Sequence, residues 1–271
     1  MTWTAYQVTF RLLSPLHIGW RKLGNLQQTR PYVTGRSLWG ALTARLTREL
    51  GGKDYEEVGK LVDQQLAFTY FYPSTQPNSV PLWPWPDQWD EFAWTFLGSY
   101  ASTALENARH AEAGSLHETE YIAPYTRNQE LDQELTPVYL MGYIFAHDSC
   151  VLSWRDVLDR LQLGGERSYG WGRVCLKKEP VKDRKCFGYD LDCTGDRPRI
   201  TVPKGKELLA HTDAESVKSV GTIEPLVGRE TSSGTDFGKN LTKARICWTP
   251  GSPLLEEKTF RIQARGIWTI S

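Results

Sequence analysis

Thr4-Ala5-Tyr6-Gln7-Val8-Thr9-Phe10-Arg11-Leu12 alternates, with Tyr6, Val8, Phe10 and Leu12 on one side and Gln7, Thr9 and Arg11 on the other. Successive side chains of a strand point to opposite faces, so this spacing predicts a half-buried β-strand. Ser14-Pro15 ends it, and a basic loop follows from Trp20 to Thr34. The period then changes. Leu38, Leu42, Leu46 and Leu50, with Ala41, make the single apolar stripe of a helix, which Gly51-Gly52 stops; Arg45 and Arg48 fall off that stripe. A second helix is expected over residues 54–66, with Val58, Leu61 and Val62 inward, and a strand over 67–72, closed by Pro73. Further on, 138–146 reads as an apolar strand, Ser153 as the N-cap of a short helix carrying Val157, Leu158 and Leu161, and 171–177 as another strand. The order β, α, β, insertion, β, α, β is the split βαβ plan of ferredoxin-like folds and of the RNA-recognition motif. The expected fold class is α+β: a ferredoxin-like domain over residues 1–179, then a smaller strand-rich domain over 180–271, where a degenerate second ferredoxin-like half would fit.

The insertion is expected at about residues 73–136, projecting from the core as an arm. It opens with five prolines between positions 73 and 86 around Trp83 and Trp85, continues through a strand-like stretch at 92–100, and turns polar and acidic from Ser102 to Thr136. After Pro180 strands are expected near 207–211, 220–227, 244–249 and 258–270, with a Gly-, Ser- and Thr-rich mobile loop at 228–240.

Charge is neutral in total but not in distribution. No Asp or Glu occurs from Met1 to Arg48, where Arg11, Arg21, Lys22, Arg30, Arg36, Arg45 and Arg48 give +7. Residues 49–163 carry a net −12 and the remainder +5, so both ends are basic around an acidic middle and a local positive surface fits the sequence. No run of 18 apolar residues is present, which argues against a membrane span, and the N-terminus lacks the pattern of a signal peptide; the expected compartment is the cytoplasm. The five cysteines are scattered without a CxxC pair or a histidine at zinc-ligand spacing, so neither a metal nor another cofactor is expected.

The segment richest in chemical possibility is Leu163-Gly164-Gly165-Glu166-Arg167-Ser168-Tyr169-Gly170-Trp171-Gly172-Arg173, with four glycines in nine residues between a helix and a strand. Glycine permits positive φ and close backbone approach, and exposed N–H groups can cradle phosphate. Arg167 and Arg173 supply charge, while Tyr169 and Trp171 supply faces on which unpaired bases stack. The helix-then-strand order is the reverse of a dinucleotide fold, and no phosphate-loop lysine is present.

Three ordered motifs, Ser14-Pro15-Leu16-His17-Ile18-Gly19, Tyr32-Val33-Thr34-Gly35-Arg36-Ser37-Leu38-Trp39-Gly40-Ala41-Leu42 and the glycine-rich loop, resemble the RAMP superfamily of CRISPR-associated proteins, across roughly residues 5–178. Ser115-Leu116-His117-Glu118-Thr119-Glu120 is similar to a motif of their inserted arms, and the segments 221–228 and 245–251 look most like cyanobacterial type III members. The resemblance implies a subunit of a type III antiviral ribonucleoprotein that holds guide RNA (crRNA). Its partners would be other RAMP subunits and a large polymerase-like subunit, and it would meet target RNA indirectly. RNA contacts are then expected from His17, Trp20, Arg21, Lys22, Arg30 and Arg36, and from Gly164, Gly165, Arg167, Ser168, Tyr169, Gly170, Trp171 and Arg173. Subunit contacts are expected from Trp83, Trp85 and Leu116. Backbone subunits of these complexes cut target RNA with an aspartate after the His-Ile-Gly motif. Here residues 20–34 contain no acid, with Asn25 nearest in kind, and an amide neither takes a proton nor binds a divalent ion as a carboxylate does. The Leu38-Trp39-Gly40-Ala41-Leu42 helix start resembles the Cas-five-like subunits that cap the 5′ handle of the guide.

Two other functions compete. Guide-processing endonucleases of the superfamily use a histidine, for which His17 is the candidate, but their glycine-rich loop lies near the end of the chain whereas about a third of this sequence follows Gly172. From a different class, Trp83, Trp85, Trp89 and Trp94 among the 11 tryptophans would suit a carbohydrate-binding surface, but their clustering around prolines suits a core plug or a subunit interface equally well.

Overall fold

A computed structural model describes residues 2–51, 54–77, 80–106, 109–127, 135–230 and 238–271. The alternating stretch is β1 (Trp3–Leu12), followed by a hairpin of β2 (Gly19–Leu23) and β3 (Leu26–Thr29), then α1 (Gly35–Glu49), α2 (Tyr55–Gln65), β4 (Leu66–Phe68) and β5 (Tyr72–Ser74). The expected insertion holds α3 (Trp89–Phe96), β6 (Leu97–Ser102) and β7 (His117–Ile122). The long apolar strand is β8 (Tyr139–His147), succeeded by 3₁₀ turns at Arg155–Arg160 and Arg167–Tyr169, then β9 (Val174–Leu176) and β10 (Val181–Asp183). The remainder is β-rich: β11 (Lys185–Cys186), β12 (Tyr189–Asp192), β13 (Arg199–Val202), β14 (Thr212–Asp213), β15 (Ile223–Leu226), β16 (Arg229–Glu230), β17 (Asn240–Leu241), β18 (Arg245–Trp248), β19 (Lys258–Ile262) and β20 (Trp268–Ile270). The architecture is thus mixed α/β, with several sheets and few helices.

The central sheet runs β10–β1–β8–β4, with β9 also on β1 and β5 also on β8. One face lies under the helices. Val8, Phe10 and Leu12 of β1 pack in one buried cluster with Leu38, Leu42 and Leu46 of α1, Val58 and Val62 of α2, and Val157 and Leu158 of the 3₁₀ turn. The other face, with Trp3, Ala5, Tyr143 and Phe145, forms a second core with Ile200, Val202, Phe260, Ile262 and Trp268 of the eight-stranded C-terminal sheet. Burial on both faces is why the first eight residues of β8 are all buried and read as a continuous apolar run. A third sheet, β2–β3–β7–β6, ties the basic hairpin to the insertion, with β3 and β7 parallel.

The helix starts follow their caps. Thr34 Oγ1 accepts from Ser37 N at 3.2 Å to open α1, and Asp54 Oδ1 accepts from Glu56 N at 3.0 Å to open α2. Several expectations are corrected. The strand-like stretch at 92–100 begins as helix: Phe92 and Phe96, four apart, meet at 5.0 Å between centroids and are buried, and the chain turns extended only at Leu97. Apolar residues at 92, 94 and 96 satisfy a strand period locally, but the stacking of Trp89 on Phe92 and the tilted contact of Phe92 with Phe96 select the helical one. The strand expected at 171–177 contracts to Val174–Leu176, because Gly170 and Gly172 both take positive φ and hold Trp171 in a turn. The helix after Ser153 is a six-residue 3₁₀ segment without a side-chain cap, and 207–211 makes only an isolated bridge, Glu207 to Pro253.

The stretch 73–136 does not project along its whole length. Ser74, Trp85, Phe92, Phe96, Leu97 and Ile122 are buried, whereas 103–106 and 109–114 are exposed throughout. Trp85, expected at a subunit interface, is buried in the second core, and Trp83 stacks on it at 5.3 Å with Tyr72 and Phe187 against their edges. These two rings therefore plug the core of their own chain. Leu116 is exposed. Of the loop expected at 228–240, the described ends pair as the β16–β17 hairpin, while 231–237 lie outside the described residues. No described helix is long and apolar enough to cross a membrane.

Candidate nucleic-acid interface

The glycine-rich loop is stitched to the Ser14–Gly19 turn. Gly165 N donates to His17 O at 2.8 Å, Gly172 N to Pro15 O at 2.7 Å, and Arg173 N to Ser14 Oγ at 2.9 Å. Gly164 has φ +72°, and a Cβ there would fall 2.2 Å from His17 O; at Gly172, φ +76°, it would fall 1.8 Å from Leu163 O. Both positions require glycine. The N–H groups of Gly165, Tyr169, Gly170, Trp171 and Gly172 all reach backbone carbonyls of the chain, so these five are engaged within the protein. What the loop presents is its 3₁₀ turn, where Arg167, Ser168 and the largely exposed Tyr169 stand outward. Trp171 is half-buried and edge-on to Tyr121 at 5.2 Å rather than free.

Beside the loop lies an open cleft of about 1110 Å³ between the helical module and the C-terminal sheet. It gathers Trp20, Arg30, Arg36, Gly164, Gly165 and Arg167 from the first half, and Arg229, Lys243, Arg245 and Arg265 from the second, with Arg197 between. Among the described residues, eight cationic side chains line it together with the carboxylate of Asp63, and Glu230 bonds two of the eight, Arg36 and Arg265. Such a concave basic surface fits a polyanion. His17, Arg21, Lys22, Ser168, Tyr169, Gly170, Trp171 and Arg173 do not line it.

The cations divide by what already holds them. Among the described residues, the side chains of Arg167, Lys243 and Arg245 have neither a hydrogen bond nor an ion-pair partner. Arg197 donates to Asp63 O at 2.6 Å. Arg36 and Arg265 both reach Glu230, and Arg265 also pairs with Asp63 at 3.1 Å. Arg30 is buried and bound to Glu224 at 2.5 Å.

Glu224 on β15 is a hub. Trp20 Nε1 donates to its Oε2 at 2.7 Å, Arg30 and His211 Nε2 meet its Oε1 at 2.5 Å each, and His211 Nδ1 pairs with the Tyr70 hydroxyl at 2.6 Å. Burial pushes the Glu224 carboxyl up, but the His211 and Arg30 contacts outweigh it and hold it at about 2. Burial pushes His211 below its ordinary value, and drives the hydroxyls of Tyr32 and Tyr70 upward. Outside the cleft, Arg21 lies 4.1 Å over the Trp20 ring and bonds Gln28, while Lys22 and Arg173 are exposed. His17 is buried, and its Nδ1 donates to Glu120 O at 2.8 Å. No group of three His, Cys, Asp or Glu positioned to hold a metal occurs among the described residues.

Sequence reasoning missed Arg197, Arg229, Lys243, Arg245 and Arg265. Their trace was the basic excess after Gly164, which carries no period to single them out.

Residues 9–79, spanning most of β1 through β5 and both N-terminal motifs, match the sequence model of the RAMP superfamily. No curated protein matches the chain. Among solved structures, a chain of the Type III-B Cmr-beta complex bound to cognate target RNA and AMPPnP shares the fold with a TM-score of 0.52 at 13% identity, covering 92% of this chain and 85% of that one. A chain from Cmr-beta bound to cognate target RNA gives 0.42 at 17% identity over 67% of this chain and 61% of that one. A chain from the apo complex gives 0.40 at 12% over 66% and 98%.

Proposed function

We propose, with the RAMP-superfamily match over residues 9–79 as premise, that this chain is a non-catalytic guide-RNA-binding subunit of a type III CRISPR ribonucleoprotein, seating RNA in the basic cleft. The observation that carries the reading is the convergence of Arg167, Lys243 and Arg245, from opposite sides of the cleft and without acid partners, beside the RAMP glycine-rich loop. Phosphate contacts of this kind supply affinity independent of sequence. The sheet order β9–β1–β8–β4, covered on one face by α1 and the 3₁₀ turn, supports a ferredoxin-like reading of the first module. A Cas-five-like place at the 5′ handle rests on the Leu38–Leu42 helix start. The exposed segment around Leu105 and Leu116 is the part left for neighbouring subunits once Trp83 and Trp85 are assigned to the core.

The absence of catalysis rests on two arrangements. The loop after the His-Ile-Gly motif offers no carboxylate, and the acids that approach it, Glu120 and Glu224, are bound to Thr29 N and to the Trp20, Arg30 and His211 group. His17 is buried, with Nδ1 engaged by a backbone carbonyl, which suits a structural role. The test is binding of a fluorescent single-stranded repeat RNA over a range of salt. Replacing Arg167, Lys243 and Arg245 together by Ala is expected to weaken binding at least about tenfold at low salt and to reduce the slope of log K against log salt by about 2, near 0.7 per lost phosphate contact. Unchanged affinity and slope in the folded triple variant overturn the assignment, as does RNA cut at one site by the wild type and spared by His17→Ala.

A further inference from the structure

Arg36, in the first turn of α1, and Arg265, between β19 and β20, come from opposite modules and converge on one carboxylate oxygen, Oε1 of Glu230. Arg36 Nη2 lies 3.2 Å from that oxygen and also donates to Arg229 O at 2.9 Å. Arg265 is held from its far side by Asp63, at 3.1 and 3.4 Å, and its guanidinium lies 4.2 Å over the Trp39 ring. Without the Glu230 carboxylate, Arg265 stays oriented by Asp63 and Trp39, and Arg36 stays held by Arg229 O. Both arms of the fork keep a second support.

The two guanidiniums also act on each other. Burial first, then the nearby charge of Arg265, pulls Arg36 below its ordinary value, so an anion between them relieves a real repulsion. Arg167 of the glycine-rich loop belongs to the same field: Arg265, Arg36 and Arg167 all favour the ionised form of Tyr55 against its burial. Two guanidiniums around one oxygen, with a third cation close by, is an arrangement that suits a phosphate. The carboxylate present belongs to the shortest kind of support. Glu230 sits on β16, which pairs with β17 through two residue pairs only, and its side chain is 36% exposed.

We propose that Arg36 and Arg265 form a phosphate-binding site of the cleft and that the Glu230 side chain fills it as an internal stand-in, which a phosphate of single-stranded RNA displaces. Naming RNA as the natural ligand rests on the function proposed above; the site itself does not. A phosphodiester offers two unesterified oxygens, one for each arginine, where Glu230 gives both the same atom. The stand-in keeps the two cations from repelling when the cleft is empty and lowers affinity for anions too weak to displace it.

The experiment compares wild type, Glu230→Gln and the double variant Arg36→Ala/Glu230→Gln, with inorganic tripolyphosphate and with single-stranded RNA as separate probes. Gln keeps the size of the side chain and removes the charge. Glu230→Gln is expected to bind tripolyphosphate and RNA about three- to tenfold tighter, with a salt slope steeper by about 0.7 for RNA, since no displaced carboxylate recaptures a counterion. The double variant is expected to lose the gain. Tighter tripolyphosphate binding with no RNA binding by any variant keeps the site and removes RNA as its ligand. RNA binding that Glu230→Gln leaves unchanged or weakens overturns the stand-in while leaving the cleft reading intact. Should Glu230→Gln melt well below wild type, Glu230→Asp, which withdraws the carboxylate by one carbon, gives the same comparison: binding no tighter than wild type overturns the proposal.

Discussion

Gly164, Gly170 and Gly172 all have positive φ, but they differ in what a side chain would meet. A Cβ at Gly170 finds open space, at Gly164 the carbonyl of His17, and at Gly172 the carbonyl of Leu163, the last at 1.8 Å. The left-handed conformation alone costs an L-residue about 1–2 kcal/mol, whereas a backbone collision forces the two segments apart and belongs with the severe substitutions, about 3 kcal/mol or more. Urea unfolding of the three Ala variants is expected to rank them Gly172→Ala, then Gly164→Ala, then Gly170→Ala, with only the last near 1–2 kcal/mol; equal losses would contradict this account. The series also marks how far the site was legible. Of the residues singled out in the sequence, Trp20, Arg30, Arg36, Gly164, Gly165 and Arg167 line the cleft. The close approach of Gly164 and Gly165 was not legible, because what they meet is His17, far away in the chain, and nothing local distinguishes that contact from a ligand.

Elements were readable where one period dominated. β1, α1 and β8 fall where alternation, a leucine stripe and an apolar run place them, but β1 is buried on both faces rather than half-buried, Thr9 as fully as Phe10. Phe92–Tyr100 was misread because its aromatic spacing fits both periods, and the choice is made by contacts between side chains. The insertion was misjudged for a related reason: composition shows that 102–136 is polar, but not that Ile122 of β7 is fully buried or that the backbone of Glu120 holds His17. The segment free to vary is therefore shorter than the insertion. Replacing residues 103–114 with a short Gly-Ser turn joining β6 to β7 is expected to leave the melting temperature within about 2 °C, since surface loop length costs little. Extending the deletion through β7 is expected to abolish cooperative melting. A large loss of stability from the short replacement would place the tip in the core.

At the scale of the whole molecule, the C-terminal strands were anticipated as a smaller second domain, but their share in the cleft was not, because Arg229, Lys243, Arg245 and Arg265 acquire meaning only when the two halves are packed together. Glu224 shows how that packing responds to acid. Its side chain is 12% exposed and takes hydrogen bonds from Trp20 and Arg30 of the first half and from His211 of the second. Its carboxyl is held at about 2 against an ordinary 4.5, so the unfolded chain takes up a proton as pH falls through 4.5 while the folded chain does not. That difference favours the folded state above 4.5 and is lost between 4.5 and about 2. His211 adds a loss in the same direction at higher pH. Burial holds it below its ordinary 6.5, so the unfolded chain binds its proton first as pH drops past 6.5. Stability is therefore expected to decline on acidification in two windows, the second belonging to Glu224. Glu224→Gln is expected to be less stable than wild type at pH 7 by on the order of 3 kcal/mol, with the gap closing as pH falls from 4.5 toward 2. Urea midpoints of both proteins across that range measure it directly, and a gap that stays constant with pH would show that Glu224 joins the two halves by shape rather than by charge.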